Sequence, residues 1–375
     1  MDEILLKERL VELTRDLVLI ESTDERPEER RRCFQLVRNH LEALPALEIS
    51  MVEQNGYESM IAMPAGVSTP EVLLCAHLDV VQHPEPDSYR SELRDGRIYG
   101  PGTGDMKGQL AILIELMHAL HHQYPGIPLG MTITSDEERG GQDGVKYLVE
   151  TLGLRCSEAI IPDGGSLNRI IIEEKGIIHL ELVARGVSAH AARPWLGQNA
   201  LEILYRDIER IKRHFTQDTP VQVDPDDHSA HWFDTCTPTL IETSNDSPNR
   251  IPEYARAVLD IRFVPPRTVD SVLAEIRSKL SDQLEASPIV EAEPTHLAPD
   301  GLFVQITEAV TGKPATLERA SGGSDGRFFC ARGIPVMLSG PRVGNLHGRD
   351  EWVDIDSMVA YFKICQTYIP KKCLG

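Results

Sequence analysis

The sequence predicts an α/β protein: a mixed, mostly parallel sheet flanked by helices, interrupted by an inserted α+β module. Three observations carry this. Short apolar runs at 71–76, 129–134 and 158–161 have the length of buried strands and alternate with helical patterning, as in parallel sheets. Near Glu173-Glu174-Lys175-Gly176 the texture changes to alternating strands and amphipathic helices. Beyond residue 296 the strand-and-helix pattern of the first part resumes. The expected division is therefore 1–176 with 296–375 as one domain and 177–295 as the insertion, a common domain size.

In chain order, Met1 to Ser22 reads as an amphipathic helix dotted with Asp2, Glu3, Lys7, Glu8 and Arg9. It lacks the basic start and apolar centre of a signal peptide. The first strand runs Glu71 to Ala76, followed by Gly100-Pro101-Gly102-Thr103-Gly104 and a helix over Met106 to Gln123. In the insertion, 177–185 and Ala255 to Phe263 alternate as strands, whereas Asn199 to Phe215 and Val269 to Leu284 are helical. The tail offers helices over Leu302 to Thr311 and Ser324 to Arg332, a strand over Pro335 to Ser339, and a closing helix over Ile355 to Tyr368.

Composition narrows the function. A formal charge of -20 and a pI near 5.1 argue against nucleic acid and against an anionic membrane surface, since both need a basic footprint. No apolar run reaches membrane-spanning length. Seven scattered cysteines without a CxxC pair suit reduced thiols and a cytoplasmic setting.

The chemistry sits at element ends. Open α/β sheets bind ligands beyond the carboxyl ends of their strands. His77, Glu137 and Asp163 fall at such ends, and Asp105 opens the helix. His77-Leu78-Asp79 places a carboxylate two residues from an imidazole, on the same side of an extended chain. Such a carboxylate can take the imidazole's second N–H and fix its tautomer. The same pair also suits a plain strand end. Asp105 can equally be a helix cap. Glu137-Glu138 sets two carboxylates side by side, which repel unless a cation or shared proton relieves them, though acidic pairs on loops are common. Asp163 before Gly164-Gly165 suits a turn, and His347 in Gly344-Asn345-Leu346-His347-Gly348 suits a loop. Together, two histidines and several carboxylates at the ends of different core elements suit a pair of borderline divalent ions such as zinc.

In order and setting these segments resemble the zinc-dependent aminoacylase and carboxypeptidase family, which includes acetylornithine deacetylase, succinyl-diaminopimelate desuccinylase and glutamate carboxypeptidase. The resemblance spans nearly the whole chain. It implies a zinc-exopeptidase-like catalytic domain whose insertion is a lid or dimerisation domain. It implies two zinc ions, with cobalt or manganese as substitutes. His77 and Asp163 would hold one, Glu138 and His347 the other, and Asp105 both. Asp79 would orient His77, and Glu137 would be the general base acting on the water at the metals.

In the insertion, Arg185-Gly186-Val187-Ser188-Ala189-His190-Ala191-Ala192-Arg193-Pro194 resembles the segment whose histidine steadies the oxyanion, often across a homodimer. That role would fall to His190. Asn249 and Arg262, the latter in Asp260-Ile261-Arg262, would contact a substrate bearing a free carboxylate. Gly322, Gly323 and Ser324 would join them through a glycine-rich turn at a helix start. The implied reaction is hydrolysis of the amide of a small N-acyl amino acid, since Ser324-Asp325-Gly326-Arg327-Phe328 is similar to the desuccinylase version. Asp163 stands where the deacylases and the glutamate carboxypeptidase usually have glutamate and is more like the family's dipeptidases and aminopeptidases; a dipeptidase or carboxypeptidase of the same family is the alternative. A catalytically silent, small-molecule-binding relative is the rival of another class. Neither His118, His121 and His122, read as a solvated helix end, nor the acidic loop Asp224, Asp226, Asp227 and His228 is assigned a role.

Overall fold

The computed structural model describes residues 2–44, 47–83, 89–216 and 231–375. The acidic loop around Asp224 lies outside them. The chain forms two compact units, Met1–Ile172 with His296–Glu318 and Ser324–Gly375, and Glu173–Thr295 with Arg319–Gly323. The short return 319–323 joins the second unit through Lys175, whose N–H donates to the Ala320 carbonyl (3.2 Å), and through an Arg319–Glu173 ion pair (2.6 Å).

The first unit holds a six-stranded sheet in the order Leu47–Gln54, Tyr57–Pro64, Leu129–Thr134, Val72–His77, Glu158–Ile161, Val336–Leu338. The first two pairings are antiparallel, and the pairings beyond them are parallel. Val72–His77 and Leu129–Thr134 are buried along their whole length, which explains continuous rather than alternating hydrophobicity. Helices Glu3–Val18, Gly108–Gln123 and Ile355–Leu374 supply much of the core, with Leu10, Leu17, Leu113, Met117, Tyr361 and Phe362 fully enclosed. A small second sheet, Val343–Gly344, Trp352–Asp354, Arg97–Tyr99 and Glu92–Arg94, presents a hairpin over 343–354.

The second unit is a four-stranded antiparallel sheet, ordered Thr235–Thr243, Tyr254–Phe263, Gly176–Arg185, Leu284–Ala292. Tyr254–Phe263 alternates strictly between half-buried and buried residues. Its inner face meets Ile203 and Ile211 of helix Ala200–Thr216 and Val272 and Ile276 of helix Val269–Arg277.

Several elements differ from expectation for local reasons. The helix expected from Met106 begins at Gly108, because Asp105 and Met106 adopt non-helical backbone (φ -141°, ψ 93° and φ -128°, ψ 38°) within a turn over Thr103–Lys107. Asp105 therefore caps nothing. The helix expected to reach Leu284 ends at Arg277. Asp207 accepts both the N–H and the hydroxyl of Ser281 (3.0 and 2.6 Å), and Leu284 starts a strand opposite Ala184. The tail helix over 324–332 shortens to Gly326–Cys330. His121 is buried rather than solvated, its Nε2 against the Leu129 carbonyl (3.1 Å). Among the described residues no helix is long and apolar enough to cross a membrane.

Candidate metal centre

Three neighbouring parallel strands end on one side of the first unit's sheet, and each delivers a candidate. His77 is the last residue of its strand and lies in register with Thr134, after which the chain turns through Glu137–Arg139. Asp163 follows the strand Glu158–Ile161. From outside the sheet come Asp105, in the turn before its helix, and His347, in the hairpin over 343–354. His347 takes a left-handed φ of 60°, which non-glycine residues seldom adopt. Such outliers cluster at functional sites.

Their side chains converge. His77 Nε2 lies 3.0 Å from Asp105 Oδ1 and 4.0 Å from Asp163 Oδ2. His347 Nε2 lies 3.2 Å from Asp105 Oδ2 and 3.2 Å from Glu138 Oε1. Two groups of potential ligands result, His77–Asp105–Asp163 and Asp105–Glu138–His347, with ligand atoms in each within 4.8 Å of one another. Asp105 belongs to both, offering one oxygen to each side.

Asp79 supports this from behind. His77 Nδ1 lies 3.0 Å from the Asp79 carbonyl oxygen and 3.5 Å from its carboxylate. With Nδ1–H donating there, Nε2 turns a lone pair towards the Asp105 and Asp163 carboxylates. Only a proton or a metal ion makes that approach favourable. Asp79 Oδ2 also accepts the Glu138 N–H (3.0 Å), so one carboxylate steadies members of both groups.

The electrostatics point the same way. Burial, with the Asp163 charge next, pushes the Glu137 carboxyl well above its usual range. Burial and the Asp105 charge do the same to Asp163, and burial raises Glu138. Burial alone would depress His77, yet its contacts with Asp105 and Asp79 hold it well above the usual imidazole value. Hydrogen bonds to Asp105 and Glu138 push His347 up to about 11. Burial of Asp105 is outweighed by His347 and His77, which hold it below the carboxylate range. Among the described residues, the ion pairs of Asp105, Glu138 and Asp163 are all with histidine. A pocket of excess negative charge walled by imidazoles fits divalent cations.

The remaining candidates are placed otherwise. Ser324 is buried in the first unit, its Oγ accepting the Gly326 N–H (3.2 Å). Arg327 donates to the Gly140 carbonyl (2.8 Å) and so braces the turn that bears Glu137. His190, Asn249, Arg262, Gly322 and Gly323 belong to the second unit. His190 is exposed, and its Nδ1 accepts the Ala192 N–H (3.1 Å). The Asn249 carbonyl accepts the Ala191 N–H (2.8 Å), which keeps that residue beside the His190 loop. Arg262 donates through Nε and one Nη to Asp260 (2.7 and 2.8 Å), and His179 reaches the same carboxylate (3.1 Å).

Sequence reasoning did not find Glu351 or Asp136. Glu351 Oε1 accepts the N–H groups of Gly104 and Asp105. Asp136 Oδ2 accepts those of Asp143 and Gly144. A glutamate in an acidic, glycine-containing loop carries no sign of burial. Asp136 stood next to Glu137 in plain view, but nothing distinguished a carboxylate that turns inward.

The fold and this site define a candidate metal-dependent enzyme, and membership of a peptidase family makes it a hydrolase of amide or peptide bonds. Residues 73–371 match the model of peptidase family M20/M25/M40, and the chain belongs to that family. It is 26% identical to an acetylornithine deacetylase of Proteus mirabilis, over 97% of each chain. It is 28% identical to a succinyl-diaminopimelate desuccinylase of Acidiphilium cryptum, over 82% of this chain and 85% of the relative. An M20 metallo-carboxypeptidase of Sulfolobus solfataricus superposes with a TM-score of 0.79 over the full length of both chains, at 17% identity.

Proposed function

We propose that this chain is a dinuclear zinc amidohydrolase, cytoplasmic and homodimeric through its inserted unit, that removes the acyl group of a small N-acyl amino acid. The observation that carries the reading is the pair of ligand groups sharing Asp105. His77, Asp105 and Asp163 would hold one ion, and Asp105, Glu138 and His347 the other; cobalt or manganese would substitute. Bound there, the ions would supply Lewis acidity to the scissile carbonyl and to the attacking water. Glu137, a carboxylate with a raised proton affinity, takes a proton from that water and returns it to the leaving amine nitrogen. Asp79 holds the His77 ring in the tautomer that leaves Nε2 for an ion.

His190 supports the reading as an oxyanion donor: with Nδ1 engaged by Ala192 N–H, the proton resides on Nε2. Arg262 would bind the free carboxylate through the Nη that its Asp260 fork leaves out, and Asn249 and the Gly322-Gly323-Ser324 turn would make further contacts to substrate. The deacylase preference rests on the deacetylase and desuccinylase relatives and on the Ser324-to-Phe328 segment. Asp163 favours a second reading, a dipeptidase or carboxypeptidase, because a shorter carboxylate alters reach on one side of the site.

The test is turnover by the zinc-loaded chain of N-acetyl- and N-succinyl-amino acids beside a panel of dipeptides. Cleavage of the acyl amino acids is expected. Cleavage of dipeptides alone would move the chain to the second reading.

A further inference from the structure

Glu351 is a buried carboxylate beside the site that belongs to neither ligand group. It lies just before the strand Trp352–Asp354, in the hairpin that carries His347, and is only 1% exposed. A buried carboxylate is costly unless its oxygens are satisfied. No lysine or arginine pairs with it among the described residues. Its partners are backbone N–H groups of the Asp105 turn: Gly104 at 2.8 Å, Asp105 at 3.0 Å, and Gly102. Its own carbonyl accepts the Gly100 N–H (3.0 Å).

These donors need a partner because the turn is not helical at Asp105 and Met106 and so makes no regular ladder. The fit is close as well as polar. A Cβ on Gly104 would meet Leu346 Cδ2 at 2.8 Å and Val343 Cβ at 3.0 Å, so the turn lies directly against the hairpin. Asp105 reaches His77 with one oxygen and His347 with the other, and a small rotation of its turn would break one of these contacts.

We infer that Glu351 is a positioning residue for the shared aspartate: it locks the Asp105 turn to the His347 hairpin and thereby sets the spacing of the Asp105–Glu138–His347 group. This rests on the two-metal reading above. Its consequence is asymmetric, because the group containing His77 and Asp163 depends on Glu351 through Asp105 alone, whereas the other depends on it through both Asp105 and His347.

The test is titration of the chelator-stripped full chain with Co2+, followed by calorimetry and by visible absorption, with melting of the stripped proteins in parallel. Wild type is expected to take two equivalents. Glu351→Ala should bind the second about 10–100-fold more weakly, the range for lost outer-shell support, and lose its absorption band at low cobalt while the first equivalent changes little. Glu351→Gln keeps a carbonyl towards Gly104 and Asp105 and should recover most of the affinity. If the alanine variant does not fold, Glu351→Asp serves, because its shorter carboxylate withdraws from the same N–H groups. Two equivalents bound by Glu351→Ala as tightly as by wild type would overturn the inference. So would parallel weakening of both equivalents in proportion to a lower melting temperature. A wild-type chain that binds no cobalt is a different failure, that of the two-metal reading itself.

Discussion

Asp163 and Asp260 are both aspartates near imidazoles, yet their surroundings close in opposite ways. In the second unit Asp260 takes a two-pronged contact from Arg262 and a third from His179. Burial pushes its carboxyl up, but Arg262 and His179 pull it below the carboxylate range. In the first unit burial and the neighbouring Asp105 push Asp163 well above that range. The first arrangement is electrostatically complete. The second has more carboxylates than cations, and only an added positive charge completes it. Titratable residues in proximity do not themselves mark a site; the unbalanced charge does.

The largest break in this comparison is expected at Glu137. Glu137→Gln should retain the metal content of wild type and lose about 10²–10⁴-fold in turnover, the usual worth of a general base. Metal analysis beside steady-state kinetics reads both. Near-normal turnover would remove Glu137 from the reaction.

Next in size is the separation of the two ligand groups. His77→Ala and His347→Ala should each bind one tight equivalent where wild type binds two, measured by titration. Loss of both equivalents from either variant would mean that the groups are not distinct.

The smallest effect belongs to the completed pair. Arg262→Ala should leave metal uptake unchanged and cost about 1 kcal/mol at neutral pH, the upper range for a partly exposed ion pair. Because the folded pKa of Asp260 is depressed, the pair's stabilisation is present above the unfolded value of about 4 and is lost as pH falls through the folded one. Urea unfolding should therefore show wild type and variant converging below roughly pH 4. A constant gap down to low pH would mean that Arg262 acts by packing.

Long buried strands and strand-end residues were legible because their signals are local. A continuous apolar run marks Val72–His77, and a histidine or carboxylate at its end is visible without the fold. The edge hairpin Leu47–Gln54 and Tyr57–Pro64 was legible too but passed over. Its Asn55-Gly56 turn (φ 50° and 87°) is the residue pair that two-residue hairpins favour. Glu351 was not legible, since its role exists only when residue 104 meets residue 351 across the fold. Arg262 showed a limit of another kind: its partner Asp260 lay two residues away, but an alternating strand shows that they share a face without showing that they pair.

The account turns on Asp105 as the common member of both groups. The most direct measurement is metal stoichiometry by titration of the stripped chain at neutral pH, wild type beside Asp105→Ala, with circular dichroism to confirm that each is folded. Two equivalents per wild-type chain and none held tightly by Asp105→Ala is the predicted result. A folded wild-type chain that binds no metal, or an Asp105→Ala chain that still binds two, would contradict it.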